Sequence, residues 1–127
     1  MTRIQRPLTS TRIERILAVP ATRGWTVAFG VERSGDRTFT LVGELDLETA
    51  PLLRETVWPA LMPSEHLRLD LRGLTFIGSD GLRLLIEFCQ TIDPGHVILL
   101  NAQTQVQHVL RLTGVLRSSN LILGWGT

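Results

Sequence analysis

Residues 67–85 read LRLDLRGLTFIGSDGLRLL, and the pattern of this stretch changes in its middle. The first part alternates leucine with charged residues, which predicts a strand with one buried face. The pattern breaks at GSDG (78–81), and apolar residues then recur at helical spacing as far as Ile92. Ser79 therefore lies on a hinge between a strand and a helix. It could cap the helix, act as a nucleophile, belong to a phosphate cradle or be modified itself.

The rest of the chain also alternates strands with helices. Residues 25–32 and 37–43 predict a hairpin, and the next helix has Thr49 as its cap, an apolar stripe and Pro63 as its end. The stretch HVILL (96–100) predicts a buried strand. A third helix closed by Gly114 and a short strand at 120–125 complete the pattern.

The predicted order is β-β-α-β-α-β-α-β, which places the chain in the α/β class. Helices between strands favour right-handed crossovers, so we expect a mixed, mostly parallel sheet with the hairpin at one side. The helices would cover one or both faces of this sheet. At 127 residues the chain fits one domain, which we assign to residues 25–127.

Residues 1–24 differ from this domain in composition. They carry five arginines against one acid, Glu14, and prolines interrupt them at positions 7 and 20. No apolar period is visible, so we expect a basic, flexible N-terminal arm whose deletion leaves the domain folded. Such an arm either tethers an acidic partner or is a frayed terminus.

Composition excludes several function classes. The net charge of +1 gives no basis for a nucleic-acid partner, and no apolar run approaches the roughly 20 residues of a membrane span. The single cysteine, Cys89, rules out an internal disulfide and suits a reducing compartment. We therefore expect a cytoplasmic protein.

The motifs of common enzymes are missing around Ser79. A nucleophile elbow needs glycine two residues before its serine, where this chain has Ile77. No phosphate-binding glycine loop is present, and the chain contains no lysine to serve a nucleotide. The three histidines lack metal-ligand spacing. We predict no enzyme activity, no metal and no cofactor. Two readings of Ser79 remain, a helix cap and a phosphate acceptor at a helix N-terminus.

Two stretches resemble a known family. LRLDLRGLTFIGSDGLRLL (67–85) resembles the signature D-L-s-x-v-x-f-[IM]-D-S-S-G-L of the STAS domain of bacterial anti-sigma factor antagonists. GELD (43–46) resembles the second hallmark of that family, a strand end that leads into the first helix. The resemblance covers about residues 25–125 and implies a single STAS-like domain.

The family resemblance also implies a mechanism. The unmodified antagonist binds an anti-sigma factor, which is a serine kinase with a GHKL-type ATP site, and so releases the sigma factor. Phosphorylation of one serine at the start of the second helix ends this binding, and a phosphatase reverses it. The alternative is a STAS-like scaffold subunit of a stressosome-type complex or a lipid-transport ATPase, without phosphorylation switching. A homodimer is left open.

The resemblance assigns the site residues by position. Ser79 matches the phosphorylated serine, and Asp46 matches the acid that closes the second hallmark. Two positions depart from the family pattern, because Gly78 replaces the usual aspartate and Asp80 replaces a serine or threonine. The expected partner-binding residues are Asp46, Gly78, Asp80, Gly81, Leu82 and Arg83.

Overall fold

The computed structural model describes residues 3–5, 13–21, 24–118 and 120–126. Over these residues, seven strands form one sheet whose order in space follows the chain. The strands are β1 (Arg3–Gln5), β2 (Ile13–Ala21), β3 (Gly24–Gly35), β4 (Thr38–Leu45), β5 (Leu67–Ile77), β6 (Val97–Leu100) and β7 (Leu121–Gly124). The helices are α1 (Ala50–Val57), α2 (Ser79–Ile92), α3 (Thr104–Thr113) and α4 (Val115–Ser118), with a 3-10 turn, Trp58–Ala60, after α1.

The sheet is mixed, as the sequence predicts. Strands β1 to β4 pair antiparallel. Strands β4 to β7 pair parallel, and a helical connection lies between each pair of neighbours. The α/β class, the hairpin and the three crossovers are confirmed. In such a sheet the carboxyl ends of β4 and β5 meet at one edge.

The N-terminal residues depart from the expectation of an unstructured arm. Strand β2 pairs with β3 over eight residue pairs, and β1 pairs with β2 in turn. Neither strand was predicted, because Glu14, Arg15 and Pro20 interrupt the apolar residues of Ile13–Ala21. An antiparallel strand can pair with its neighbour through backbone hydrogen bonds, which require no regular alternation of side chains. Whether the domain folds without residues 1–24 stays a prediction.

One face of the sheet carries the core. Phe39, Leu69 and Leu99 are register partners on three adjacent strands, and all are buried. Helices α1, α2 and α3 complete the same cluster with Leu53, Phe88 and Leu110, respectively. On the other face, the side chains of one register row are exposed or only partly buried. This row consists of Thr38, Arg68, Ile98 and Ile122.

The helix ends refine the predicted bounds. Helix α1 ends at Val57 because Pro59 lacks the backbone N–H that would continue it, so Pro63 is not the residue that stops it. Helix α2 buries Leu84, whereas Leu82 is only partly buried. Gly114 is the predicted left-handed cap of α3, with φ 75°.

Strand β5 is longer than its alternating sequence predicts. The pairing with β4 shifts register twice, between Thr40 and Val42 and between Gly43 and Glu44. These irregularities let Leu71, Leu74 and Ile77 all reach the core although they are three residues apart, an odd interval that would alternate faces in a regular strand. The consequence for the site is that β5 runs up to the hinge and ends level with β4.

Candidate functional site

The ends of β4 and β5 bring two predicted site residues to the same edge. Leu45 and Ile77 are register partners at the last position of each strand. The Gly78 N–H donates to the Leu45 carbonyl at 2.8 Å. Because Asp46 follows Leu45 and Ser79 follows Gly78, the two hallmark stretches of the sequence lie side by side.

Asp46 orders the loop that leads into α1. Its Oδ1 accepts hydrogen bonds from the N–H groups of Glu48 at 3.0 Å and Thr49 at 3.1 Å. The Thr49 hydroxyl accepts from the Asp46 N–H at 2.9 Å and donates to the Glu44 carbonyl at 2.7 Å. Thr49 is buried and its side chain makes no capping bond to α1. Thr49, which was predicted to cap α1, therefore stabilises the preceding loop instead. The carboxylate of Asp46 stabilises the same loop where the chain enters the helix.

Ser79 is the first residue of α2 and does not cap it. The N-cap is Gly78, whose extended backbone (φ −99°, ψ −178°) begins the helix without a side-chain bond. Ser79 is exposed. Among the described residues, no hydrogen bond to its hydroxyl is present. The interpretation of Ser79 as a helix cap is therefore wrong. Its hydroxyl makes no hydrogen bond among the described residues that would stabilise the fold.

Gly81 fixes the start of α2 against the sheet. A β-carbon at this position would lie 2.8 Å from Cγ of Leu45 and 3.0 Å from Cγ1 of Ile77, closer than side chains pack. Gly81 is buried for the same reason. Of the predicted partner-binding residues, Gly81 therefore offers no side chain to a partner and acts through close packing.

The next residues of α2 divide between core and surface. Leu82 is partly buried against the core. The Arg83 side chain is 71% exposed, and its Nη1 lies 3.5 Å from Oδ1 of Asp80 one turn earlier. Asp80 itself is 33% exposed. Arg83 therefore faces solvent.

Two exposed apolar residues lie close to the start of α2, and neither was among the predicted site residues. Leu47, in the loop after Asp46, is 70% exposed, and Phe76, near the end of β5, is 48% exposed. A β-carbon on Gly78 would touch the Phe76 ring at 3.3 Å, so the ring lies beside the hinge. Phe76 was missed because only the register shift of β5 reveals that it points away from the core. We refer to Leu47, Phe76, Ser79, Asp80 and Arg83 as the Ser79 face.

A groove of about 220 Å³ separates α1 from α2 next to the Ser79 face. Arg54 of α1 forms an ion pair with Glu87 of α2 across it. The guanidinium of Arg54 also lies 4.6 Å from the ring centroid of Trp58. The lining residues are Leu47, Ala50, Pro51, Arg54, Asp80, Arg83, Leu84 and Glu87.

The described part of the chain offers little for other chemistries. Over these residues, no group of three or more His, Cys, Asp or Glu side chains could hold a metal ion. Nor does any helix in the described ranges have the length and apolar character needed to cross a membrane.

The comparison with known proteins agrees with this geometry. The STAS domain family matches residues 31–124, and the chain belongs to that family. An anti-sigma factor antagonist from Mycobacterium paratuberculosis has a similar structure, with a TM-score of 0.61 and 22% identity over 74% of this chain and 85% of that one. The anti-sigma factor antagonist SpoIIAA, in its unphosphorylated form, gives a TM-score of 0.60 and 22% identity over 79% and 89% of the two chains. At this identity the likeness shows a common fold. No curated protein sequence matches the chain significantly.

Proposed function

We propose that this STAS domain is an anti-sigma factor antagonist switched by phosphorylation of Ser79. In its unmodified form it binds an anti-sigma factor with GHKL-type serine kinase activity, so that the sigma factor is released. The observation that carries the proposal is the state of Ser79, which begins α2 with an exposed hydroxyl and no hydrogen bond among the described residues. Its structural neighbours are anti-sigma factor antagonists, and one of them is an unphosphorylated form.

The chemistry of the switch uses this exposed hydroxyl. In the complex, the Ser79 oxygen attacks the γ-phosphorus of ATP bound to the kinase, the bond to ADP breaks, and the hydroxyl proton passes to a base of the kinase. The domain is the substrate of this step and supplies no catalytic group. A phosphatase later hydrolyses the phosphoserine with water, which restores the hydroxyl and releases inorganic phosphate.

The Ser79 face has the composition of a protein interface. Leu47 and Phe76 supply exposed apolar area on either side of the serine, and Arg83 supplies an extended cation. Aromatic and arginine side chains are common anchors in interfaces, with charged residues kept at the rim. A phosphate adds roughly −1.5 to −2 charges in the middle of this surface. We expect the partner to lose affinity because that charge must be desolvated on binding, while the domain stays folded.

The test starts from proteins captured in the native host. Wild type, Ser79→Ala and Ser79→Asp are used as baits, and a captured GHKL kinase is then incubated with each bait and ATP. We expect the kinase to bind wild type and Ser79→Ala, to bind Ser79→Asp much more weakly, and to phosphorylate wild type at Ser79 only, as read by mass spectrometry. Phosphate on another residue, or undiminished binding of Ser79→Asp, would contradict the switch.

The same experiment separates the alternative function. A scaffold subunit would bring down a transporter ATPase or a multi-copy sensor complex in place of a kinase. All three baits would then capture that assembly equally, because the hydroxyl of Ser79 would have no part in the contact. In that outcome the serine is only a surface residue of a STAS scaffold.

A further inference from the structure

Arg83 is held loosely in the unmodified protein. Among the described residues, it forms an ion pair with Asp80, three residues earlier, at 3.5 Å between Nη1 and Oδ1. The side chain is 71% exposed, so water competes with this contact throughout. Exposed pairs of this kind have little net strength and exchange partners easily. Arg83 is therefore available to a stronger anion within reach.

Two other carboxylates of this region, Glu87 and Asp46, already have partners. Glu87, four residues further along α2, forms an ion pair with Arg54 of α1, and Arg54 is fixed in turn by the Trp58 ring. Asp46 accepts two backbone N–H groups of its own loop. Asp80 is the carboxylate that forms an ion pair with Arg83 in the described part of the chain.

Ser79 lies four residues before Arg83 on the same helix. Residues at this spacing have their β-carbons about 5–6 Å apart, and an acid placed N-terminal to a base is the favourable orientation. A phosphoserine has roughly twice the charge of Asp80 and three acceptor oxygens. A guanidinium binds phosphate through two parallel hydrogen bonds, which a single carboxylate oxygen at 3.5 Å does not match.

We propose that phosphorylation of Ser79 transfers Arg83 from Asp80 to the phosphate. This inference rests on the proposed function only in taking Ser79 as the modified residue. Before modification the Ser79 face presents an extended cation paired with one carboxylate. After phosphorylation, Arg83 binds the phosphate on Ser79, and Asp80 loses its ion pair. The partner thus loses a positive contact and meets a new negative one at the same moment.

The test uses phosphoserine installed at position 79 during translation, so its outcome does not depend on any cellular kinase. The ³¹P signal of the phosphate is titrated in four proteins, namely wild type, Arg83→Gln, Arg83→Lys and Asp80→Asn. We expect the pH midpoint of the second phosphate ionisation to be about 0.15–0.4 units higher in Arg83→Gln than in wild type, because the dianion loses its cation. Arg83→Lys should fall between them, since it keeps the charge and loses the paired hydrogen bonds.

A second readout separates a formed contact from a distant charge effect. The Nε–Hε signal of Arg83 is compared with and without the phosphate, in wild type and in Asp80→Asn. A contact predicts a shifted, slowly exchanging signal in both phosphorylated proteins, whereas in the unmodified proteins it should exchange rapidly. The proposed transfer of Arg83 to the phosphate would be wrong if the ³¹P pH midpoints of wild type and Arg83→Gln were equal. It would also be wrong if the Nε–Hε signal of Arg83 did not change on phosphorylation. The switch itself fails separately, if the native kinase leaves Ser79 unmodified.

Discussion

A serine that caps a helix and a serine with no structural partner differ in what their removal costs. Replacing a capping serine by alanine lowers the free energy of unfolding by about 1 kcal/mol. Since Ser79 follows the N-cap and its side chain makes no capping bond, we expect Ser79→Ala to change that free energy by less than about 0.5 kcal/mol. Urea denaturation of the two proteins measures the difference.

Thr49→Ala provides the matched control for this measurement. Its hydroxyl is buried and joins Glu44 to Asp46 through two hydrogen bonds. Removing it leaves buried polar groups unpaired, so we expect a loss of about 1–3 kcal/mol. A loss of similar size in Ser79→Ala would restore the capping reading.

A second prediction concerns the substitution of Gly81 by alanine, which adds a single methyl group. An added methyl group would meet Leu45 and Ile77 at 3.0 Å or less, which costs about 1–3 kcal/mol through overpacking. The better helix propensity of alanine offsets up to about 1 kcal/mol of this. We therefore expect Gly81→Ala to lower the free energy of unfolding by about 1–2 kcal/mol. A neutral or stabilising result would show that the start of α2 is not pressed against the sheet.

Asp80 bears on binding more than on stability. Asp80→Asn removes the partner of Arg83 and one negative charge from the Ser79 face. If the kinase partner contacts Arg83, we expect its affinity for the unmodified domain to rise about two- to fivefold, the range that corresponds to an exposed ion pair. Isothermal titration calorimetry measures this, with Arg83→Gln as the comparison expected to weaken binding. If Arg83→Gln bound more tightly than wild type, the partner would carry a positive charge opposite Arg83, and the prediction would be wrong.

At the scale of secondary-structure elements, α2 lacks a good cap. Gly78 has the extended conformation of an N-cap but no acceptor for the N–H groups of the first turn. We expect Gly78→Asp and Gly78→Asn each to raise the free energy of unfolding by about 0.5 kcal/mol, because both supply that acceptor and restrict the unfolded chain.

Gly78→Ala is the control for this substitution. All three variants place a β-carbon 3.3 Å from the half-exposed ring of Phe76, so that contact cancels between them. Alanine has no acceptor and should be less stable than either polar variant by about 1 kcal/mol in thermal or urea unfolding. If the three variants unfold alike, the first turn of α2 is satisfied by water alone.

Some elements were predictable because one local rule governs them. The alternation of Leu67, Leu69 and Leu71 follows from a sheet with one covered face, and Gly114 follows from the left-handed end of α3. The second half of β5 was not predictable, since its register shifts depend on the pairing with β4. For the same reason the exposure of Phe76 could not be read from its neighbours in the sequence.

The site shows a similar division. Parallel strands place the residues after Leu45 and Ile77 at one edge, so the proximity of Asp46 and Ser79 was predictable once the strands were recognised. The role of Thr49 was not, because a threonine before a helix can bond either to the helix or to the preceding loop, and only the loop geometry decides.

At the scale of the whole molecule, the N-terminal strands alter the expected effect of truncation. A chain that lacks residues 1–24 loses the eight residue pairs between β2 and β3 and leaves β3 as a sheet edge. The described core begins at Phe29, so we expect cooperative unfolding to persist. The midpoint of thermal unfolding should fall by about 5–10 °C, as measured by calorimetry. An unchanged midpoint would show that β2 contributes nothing to the stability of the domain.

The bond from the Gly78 N–H to the Leu45 carbonyl, together with the contact of Gly81 with Leu45, ties the start of α2 to the end of β4. Since these contacts hold the hinge against β4, we expect a phosphate on Ser79, in the proposed switch, to act on the surface without a rearrangement of the hinge. The speed of the response is then set by how fast the partner dissociates. In the same proposed switch, the duration of the signal is set by the rate at which a phosphatase hydrolyses the phosphoserine.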